Sequence, residues 1–399
     1  MTQLPSGHPH RSVGLLAAAH FVNDQYGNYL PVLLPVFAAA YGLPLSLAGV
    51  LMTLQTVTGS MTQPFFGYLA DRFRIRTVAA LGIAASALGA GLMGAAPGFA
   101  ALALVTILHG VGTAAFHPQS SAMVSSMSGA RKGTTMSFYV MSGQAGYALS
   151  PLVAATIVSG AGLSWLMPAA APGLAMAFVL YRLAPREWFL TVARGRSMSV
   201  WDALRESAGP LARVLALVVS RSTLYFALLT FLPFLFRDRG ISATHGAAAI
   251  TAMAFAGAIG GLAGGYLSDR YGRRPIIFTS FALASPLFFA AVHLPGLAGV
   301  VSLTLAGGVF LGSFSILTVE AQTLLPSHTG MASGLVLGFG LGVGGLMIGP
   351  LSVVAQALGI VPVLNVLVFL PLATSVLAWR LPLGSYVGNV PTAKHLEAR

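Results

Sequence analysis

Six residues of this sequence combine an ionisable side chain with strongly apolar surroundings. They are Asp24, Glu320, Arg221, His20, His109 and His117. A charge at the centre of a membrane helix costs at least ~2.5 kcal/mol on insertion scales, so each group should face water, a partner or a bound molecule. Imidazoles and carboxylates can exchange protons, and a guanidinium can bind an anion. These residue types are suited to proton exchange and anion binding.

The spacing of these residues is typical of helices. Two trios recur at positions i, i+4 and i+8: His20, Asp24 and Asn28, and His109, Thr113 and His117. Residues at this spacing lie along one face of an α-helix. Each trio can therefore face a shared cavity, and Pro118 frees a carbonyl in the preceding turn that can bind a polar group or let the helix bend.

The composition indicates a membrane protein. The chain has 399 residues, of which 56% are hydrophobic and 8% charged, against about 25% charged in soluble domains. A soluble globular protein is thereby excluded. A helix that crosses a bilayer needs about 20 apolar residues, so this length allows roughly twelve such helices. Because the chain has no cysteine, disulfides and thiolate metal sites are excluded.

Twelve apolar segments can be separated at charges, Pro-Gly pairs and polar clusters. We number them 1 to 12 in chain order: 13–41, 45–70, 77–95, 98–127, 133–159, 162–184, 209–236, 243–268, 275–293, 297–325, 329–357 and 360–381. The predicted domains are a cytoplasmic tail (1–12), a first six-helix half (13–184), a cytoplasmic connector (185–208), a second six-helix half (209–381) and a cytoplasmic tail (382–399).

The basic residues predict the orientation of the segments. Most of the 21 Lys and Arg residues lie in the loops and tails on one side, the side that carries both termini. Cytoplasmic loops hold an excess of Lys and Arg, so we expect both termini in the cytoplasm and an even number of spans. The net charge of +12 then needs no nucleic-acid partner.

An internal repeat divides the chain in two. The sequence from Gly67 to Arg76 recurs from Gly265 to Arg274, an offset of 198 residues. The same offset aligns Phe116 with Phe314. Repeats of this length predict two parallel, pseudo-symmetric halves of six helices, which is a known architecture of transporters.

The repeated loop resembles the signature of the major facilitator superfamily, Gly-x-Leu-x-Asp-Arg-x-Gly-Arg-Arg. The second copy matches fully, and the first has Arg74 where glycine is usual. More narrowly, the sequences 20–24, 112–118, 321–326 and 330–334 resemble the fosmidomycin-resistance family of bacterial exporters. The resemblance implies an all-α membrane protein with twelve transmembrane helices, in which segments 1, 4, 7 and 10 line a central cavity.

It also implies a function. We expect a drug/proton antiporter of the bacterial cytoplasmic membrane that exports a small amphipathic or anionic organic compound by alternating access. The expected partners are this substrate, protons and membrane lipid, without nucleic acid, cofactor or metal, and with a monomeric chain. An importer of an organic anion, a non-transporting receptor and a lipid scramblase stay open. An enzyme is disfavoured because there is no His-Glu-x-x-His and no Lys within a segment to activate a serine.

Roles can be predicted for individual residues. For proton coupling we expect Asp24, Glu320 and His117. For substrate binding we expect His20, Asn28, His109, Thr113, His117 and Arg221. For a gate on the cytoplasmic side we expect Gly67, Asp71, Arg72, Gly265, Asp269 and Arg270. The glycines would let helices approach where a Cβ would intrude, and each aspartate would gain about 0.3–1 kcal/mol beside a helix N-terminus.

Several of these residues have a second interpretation. Arg221 is either an anion ligand or a structural partner of Glu320 or Asp24, and we expect it to be linked electrostatically to Glu320. His109 is either a cargo ligand or a core histidine bonded to a neighbouring helix. The glycines between 338 and 349 indicate close packing rather than a phosphate loop, because no Gly-Lys-Ser/Thr follows. In segment 5, residues 143–151 resemble the antiporter motif of the superfamily, with Ser150 in place of a glycine.

Overall fold

The computed structural model describes residues 9–66, 69, 77–127, 132–183, 200–326 and 329–381. All regular elements in this part of the chain are helices, and no strand occurs in it. The gate residues Gly67, Asp71 and Arg72 lie outside the described residues. The predicted all-α class is confirmed.

The first half begins with two helices that divide segment 1. Its helices are Pro9–Asp24, Tyr29–Tyr41, Leu45–Thr56, Val57–Met61 (a π-helix), Val78–Leu92, Met93–Ala95, Phe99–Met127, Lys132–Ala161, Leu163–Leu166, Pro168–Ala170 and Ala171–Leu183. Segments 4 and 5 are each one long helix, and both continue through an internal proline, Pro118 and Pro151.

The second half begins inside the predicted connector, because the helix of segment 7 starts at Val200. Its helices are Val200–Asp238, Ala243–Tyr271, Arg273–His293, Gly296–Leu311, Phe314–Leu324, Thr329–Gly334, Leu335–Gly340 (a π-helix), Leu341–Leu346, Ile348–Leu358, Ile360–Leu367, Leu370–Ser375 and Val376–Arg380. Segments 10, 11 and 12 are thus broken into shorter helices, whereas segments 7, 8 and 9 are continuous.

Nine helical stretches of the described chain are long and apolar enough to cross a membrane. They correspond to segments 3, 4 and 6 to 12. Segments 1 and 2 are divided into shorter helices, and segment 5 is a helix of 30 residues with many polar side chains. The predicted number of twelve spans therefore stays a prediction, while a multi-span helical membrane protein is supported. Large apolar side chains on the outer surface, such as Leu104 and Leu297, are 68% and 78% exposed, as a lipid-facing surface requires.

The break in segment 1 follows from its sequence. Pro31 has no N–H, so the carbonyl of Gly27, one turn earlier, loses its helical partner. The side chain of Gln55 in segment 2 satisfies this carbonyl, with Nε2 donating to Gly27 O at 2.7 Å. The backbone N–H of Asn28 donates to Ser150 Oγ at 2.8 Å instead of to the carbonyl of Asp24, and the first helix ends at Asp24. The residue predicted to exchange protons therefore lies at a helix end within the membrane rather than in a regular helix.

The two halves meet along three pairs of segments. Segment 2 packs against segment 11, segment 5 against segment 8, and the second helix of segment 1 against segment 7. Hydrogen bonds join the halves between Ser46 N and Gln356 Oε1 at 3.0 Å and between the hydroxyls of Thr244 and Ser159 at 3.3 Å. These two bonds lie at the ends of the segments that are predicted to face away from the cytoplasm.

One prediction about close helix approach is wrong. A Cβ on Gly265 would lie 3.8 Å from the Ser315 hydroxyl, which is ordinary contact, so the helices do not need a glycine there. At Gly260 and Gly264, on the same helix, a Cβ would collide with the backbone of Gly308 and Gly312 in segment 10. The loop signature therefore marks the end of this helix. The close contact between segments 8 and 10 lies before the signature, at Gly260 and Gly264.

Candidate functional site

Asp24 lies between two imidazoles at the end of the first helix. His20 Nε2 is 3.2 Å from Asp24 Oδ2, and His117 Nε2 of segment 4 is 3.4 Å from Asp24 Oδ1. Asn23 Nδ2 donates to Asp24 Oδ1 at 3.0 Å. The side chains of His20, Asp24 and His117 are 9%, 14% and 25% exposed, so access to this group, the His20–Asp24–His117 triad, is from the His117 side.

The hydrogen bonds of His20 constrain where the protons are. Its Nδ1 lies 2.8 Å from the backbone carbonyl of Tyr139, and a carbonyl can only accept. Nδ1 therefore carries the hydrogen, and in neutral His20 the Nε2 atom would present a lone pair to the Asp24 carboxylate. Two acceptors this close would repel, so this geometry favours a further proton on the imidazole or on the carboxylate. The geometry fits a pair that shares a proton, and we call His20 and Asp24 the proton-binding pair.

Segment 5 holds His20 in this position. The ring of Tyr139 stacks on the imidazole with 4.1 Å between centroids, and the Tyr139 hydroxyl bonds to Ser120 Oγ at 2.5 Å. Gly143 lies against the other edge of the imidazole, where a Cβ would collide with Cε1 and Nε2 of His20. The glycine of the antiporter-like sequence is therefore explained by the space that the proton-binding pair requires.

The departure from that motif also has a structural reason. Ser150 Oγ accepts a hydrogen bond from the backbone N–H of Asn28 at 2.8 Å, and Asn28 Nδ2 donates to Tyr147 O at 3.0 Å. Both bonds tie the break in segment 1 to segment 5. Asn28 Oδ1 is buried and without a hydrogen-bond partner in the described structure. This oxygen can accept a donor from a bound molecule, which agrees with the predicted role of Asn28.

The same triad could also hold a metal ion. One ligand atom from each of His20, Asp24 and His117 lies within 4.8 Å of the other two. Two imidazoles and one carboxylate are suitable ligands for a divalent transition metal. The expectation of a metal-free protein therefore stays a prediction, and it needs an experiment.

His109 and Thr113 do not join the triad. His109 is 2% exposed, and its Nδ1 lies 3.0 Å from the carbonyl and 3.2 Å from the hydroxyl of Ser86 in segment 3. The Thr113 hydroxyl is 3.3 Å from the same Ser86 hydroxyl. These contacts favour the core interpretation of His109. Of the predicted trio on segment 4, His117 alone contacts Asp24, because the eight residues between His109 and His117 span about 12 Å of helix.

Arg221 is a buried cation without a charged partner. It is 2% exposed, and its guanidinium lies over the ring of Phe314 with 4.5 Å to the centroid. No ion pair to Arg221 occurs within the described part of the chain, and its Nε is buried without a hydrogen-bond partner. The predicted pairing of Arg221 with Glu320 is not present in this conformation.

Glu320 has a different partner. Its Oε2 accepts from Arg273 Nη1 at 2.8 Å, and the same nitrogen donates to Thr323 Oγ1 at 2.9 Å. The side chains of Glu320 and Arg273 are 5% and 21% exposed. Arg273 belongs to the second copy of the loop signature, and Glu320 lies on the helix Phe314–Leu324, near the end of segment 10. Sequence reasoning missed this pair because Arg273 was counted as a loop residue that determines orientation.

Of the gate residues in the second copy, Asp269 and Arg270 are exposed and Gly265 is partly buried. The structure gives Asp269 no ion pair and no hydrogen bond among the described residues, and Arg270 lies over the ring of Tyr271 at 5.6 Å. The gate stays a prediction for both copies of the signature.

The arrangement of a proton-binding pair in one half and a buried arginine in the other can be compared with known families. Residues 16–350 match the profile of the Major Facilitator Superfamily. The chain belongs to the Major Facilitator Superfamily. The family resemblance seen in the loop signature is thereby confirmed, and the protein is a transporter of this superfamily and not an enzyme.

Curated relatives cover nearly the whole chain. The fosmidomycin resistance protein of Escherichia coli (strain K12) is 27% identical over 90% of this chain and 90% of its own. An uncharacterized transporter of the superfamily, YfnC of Bacillus subtilis (strain 168), is 29% identical over 92% of each chain. A probable 4-methylmuconolactone transporter of Cupriavidus pinatubonensis is 26% identical over 82% of this chain and 81% of its own.

Solved structures agree on the fold. A nucleoside transporter, NupG, superposes with a TM-score of 0.76 at 15% identity and covers 93% of this chain and 99% of its own. A bacterial homologue of the human lysosomal transporter Spinster, in an inward-facing conformation, gives 0.72 at 17% identity over 94% of this chain and 97% of its own. At these identities the likeness is one of fold alone.

Proposed function

We propose that the protein is a proton-coupled antiporter that exports a small anionic organic compound by alternating access. We place it in the bacterial inner membrane with both termini in the cytoplasm. The observation that carries the proposal is the His20–Asp24–His117 triad, a proton-binding group at a helix break inside the membrane. The resistance activity in the name of the Escherichia coli relative supports export, because removal of a compound from the cell is how a transporter gives resistance.

Asp24 is the proposed proton carrier. It ends a helix and is followed by a turn at residues 25–28. His20 stabilises the proton that Asp24 shares with it, and His117 provides a more exposed nitrogen through which that proton can arrive or leave. Glu320 is a weaker candidate for this role because Arg273 holds it as an ion pair.

Arg221 is the proposed ligand for the anionic group of the cargo. An uncompensated buried charge is costly, so it persists where a bound ion compensates it during function. Both carboxylates that the sequence offered as structural partners are engaged elsewhere: Asp24 by the two imidazoles and Glu320 by Arg273. Phe314 holds the guanidinium through a cation–π contact. The Nε atom has no hydrogen-bond acceptor in the described structure and can donate to a bound anion. The loop aspartates, Asp71 and Asp269, remain proposed gate residues.

The test is transport into inverted membrane vesicles, with fosmidomycin as the first probe and 4-methylmuconolactone as the second. An exporter accumulates the probe inside inverted vesicles when the lumen is acidified, and the accumulation collapses when the proton gradient is dissipated. Accumulation in right-side-out vesicles under an inward proton gradient would instead identify the rival importer. A receptor or a scramblase gives no gradient-dependent flux of either probe in either orientation.

A further inference from the structure

Segment 11 is interrupted at a defined place in the interface between the halves. Its helices Leu341–Leu346 and Ile348–Leu358 are separated by Met347. Pro350 lacks an N–H and so cannot bond to the carbonyl one turn earlier. Gly349, at the start of the second helix, has an N–H with no partner inside that helix. In an unbroken helix it would bond to the carbonyl of Gly345.

The hydroxyl of Thr53 occupies the gap that this break leaves. Thr53 Oγ1 donates to Gly345 O at 3.2 Å and accepts from Gly349 N at 3.0 Å. One hydroxyl from segment 2 in the first half thus replaces a backbone hydrogen bond of segment 11 in the second half. Side chains inserted in this way are a known cause of helix kinks. A Cβ on Gly349 would lie 3.3 Å from Thr53 Oγ1, so the glycine leaves room for the hydroxyl.

The internal repeat contains a matched residue that makes no such contact. The offset of 198 places Thr251 of segment 8 at the position of Thr53. Thr251 is 7% exposed, and its hydroxyl has no hydrogen-bond partner within the described chain. Segment 5, the partner of segment 8, is one unbroken helix, Lys132–Ala161, through the equivalent Pro151. The inserted hydroxyl is therefore a feature of the pair formed by segments 2 and 11, and it is absent from the described contacts of its pseudo-symmetric counterpart.

We propose that Thr53 is a positioning residue that latches the two halves in this conformation by completing the backbone of segment 11. When the halves separate, the hydroxyl leaves and segment 11 must satisfy Gly345 O and Gly349 N by itself. The residue thereby biases the equilibrium between conformations without touching cargo or proton. This inference requires that the halves move apart, and it is independent of which compound is carried or how protons are coupled.

The experiment compares Thr53→Val, which keeps the shape and removes the hydroxyl, with Thr53→Ser, which keeps the hydroxyl. Thr251→Val is the matched control. All are made in the cysteine-free chain carrying Ser46→Cys and Gln356→Cys, and the readout is the fraction joined by a short bifunctional maleimide in membranes. Loss of two hydrogen bonds should lower the equilibrium constant for the joined conformation roughly tenfold in Thr53→Val. Thr53→Ser and Thr251→Val should match the parent. The proposal is overturned if Thr53→Val matches Thr251→Val or if Thr53→Ser fails to match the parent.

A second measurement leaves Thr53 in place, in case Thr53→Val does not accumulate. Hydrogen exchange of the Ser46→Cys, Gln356→Cys protein is followed before and after joining the halves with the maleimide. Amides of residues 345–351 should exchange more slowly after joining, by about the same tenfold factor, because Thr53 then stays hydrogen-bonded to Gly345 and Gly349. Amides of residues 146–152 in segment 5 should change less. Equal change in the two stretches, or none in 345–351, would contradict the proposal.

Discussion

Replacing the unpaired arginine should have an effect on stability unlike that of replacing the paired one. Arg221→Met removes a buried charge whose placement costs at least ~2.5 kcal/mol, and it loses a cation–π contact with Phe314 worth about 2 kcal/mol. The two terms nearly cancel, so we expect stability within about 1 kcal/mol of the parent. Arg273→Met instead leaves Glu320 buried and unpaired, which should cost about 3–5 kcal/mol.

Thermal unfolding in detergent, followed by the fraction that stays monodisperse, ranks the variants. Adding Glu320→Gln should restore stability to Arg273→Met and leave Arg221→Met unchanged. Binding of the probe to Arg221→Met should be lost, since its anionic group then has no cation to contact. If Arg221→Met is strongly destabilised and Glu320→Gln rescues it, the two residues are partners in the cell. In that case the assignment of Arg221 to cargo is wrong.

Three further outcomes follow from the triad. Asp24→Asn should keep exchange of labelled for unlabelled probe and lose accumulation driven by a proton gradient, so undiminished accumulation would exclude Asp24 as the carrier. Gly143→Ala should displace the His20 imidazole and reduce proton-driven transport at least about tenfold, whereas Gly265→Ala, which meets ordinary contact, should be close to neutral. Transport by purified protein in liposomes should be unaffected by a chelator such as EDTA, and a loss that added zinc restores would show that the triad holds a metal.

The sequence was sufficient to predict the all-α membrane fold and the superfamily, and the twelve segments, the two halves and the role of Asp24 stay predictions. These features depend on composition, on the internal repeat and on the cost of placing charge in a membrane. All three can be assessed from the sequence without knowledge of the folded structure. Helical spacing correctly placed His20 next to Asp24 because both lie on one helix. It could not decide which of His109 and His117 faces Asp24, because that depends on how segment 4 is rotated against segment 3.

Contacts between residues that are far apart in the sequence could not be predicted from spacing. The opposite charges of Arg221 and Glu320 predict a pair between them. The structure instead pairs Glu320, on the helix Phe314–Leu324, with Arg273, the first residue of the helix Arg273–His293. An arginine side chain is long, so the sequence is compatible with several ion pairs. Which pair forms depends on where the end of segment 10 lies in the folded chain. The same limit applies to Gly265, since a glycine in a motif need not be the glycine at the tight contact.

The internal repeat relates the two chemically distinct sites to each other. An offset of 198 residues places Arg221 at the position of Asn23, next to Asp24, and Phe314 at the position of Phe116. Phe116 lies 5.9 Å from the ring of His20 and Phe314 lies 4.5 Å from the guanidinium of Arg221, so each phenylalanine contacts the embedded basic group of its own half. The proton-binding pair and Arg221, the proposed anion ligand, therefore lie at neighbouring positions of the internal repeat. In the proposed alternating-access cycle the two halves rock about a shared axis, so both sites would open to the same side together, and the proposed exchange then requires that a proton and an anion exclude each other from one cavity.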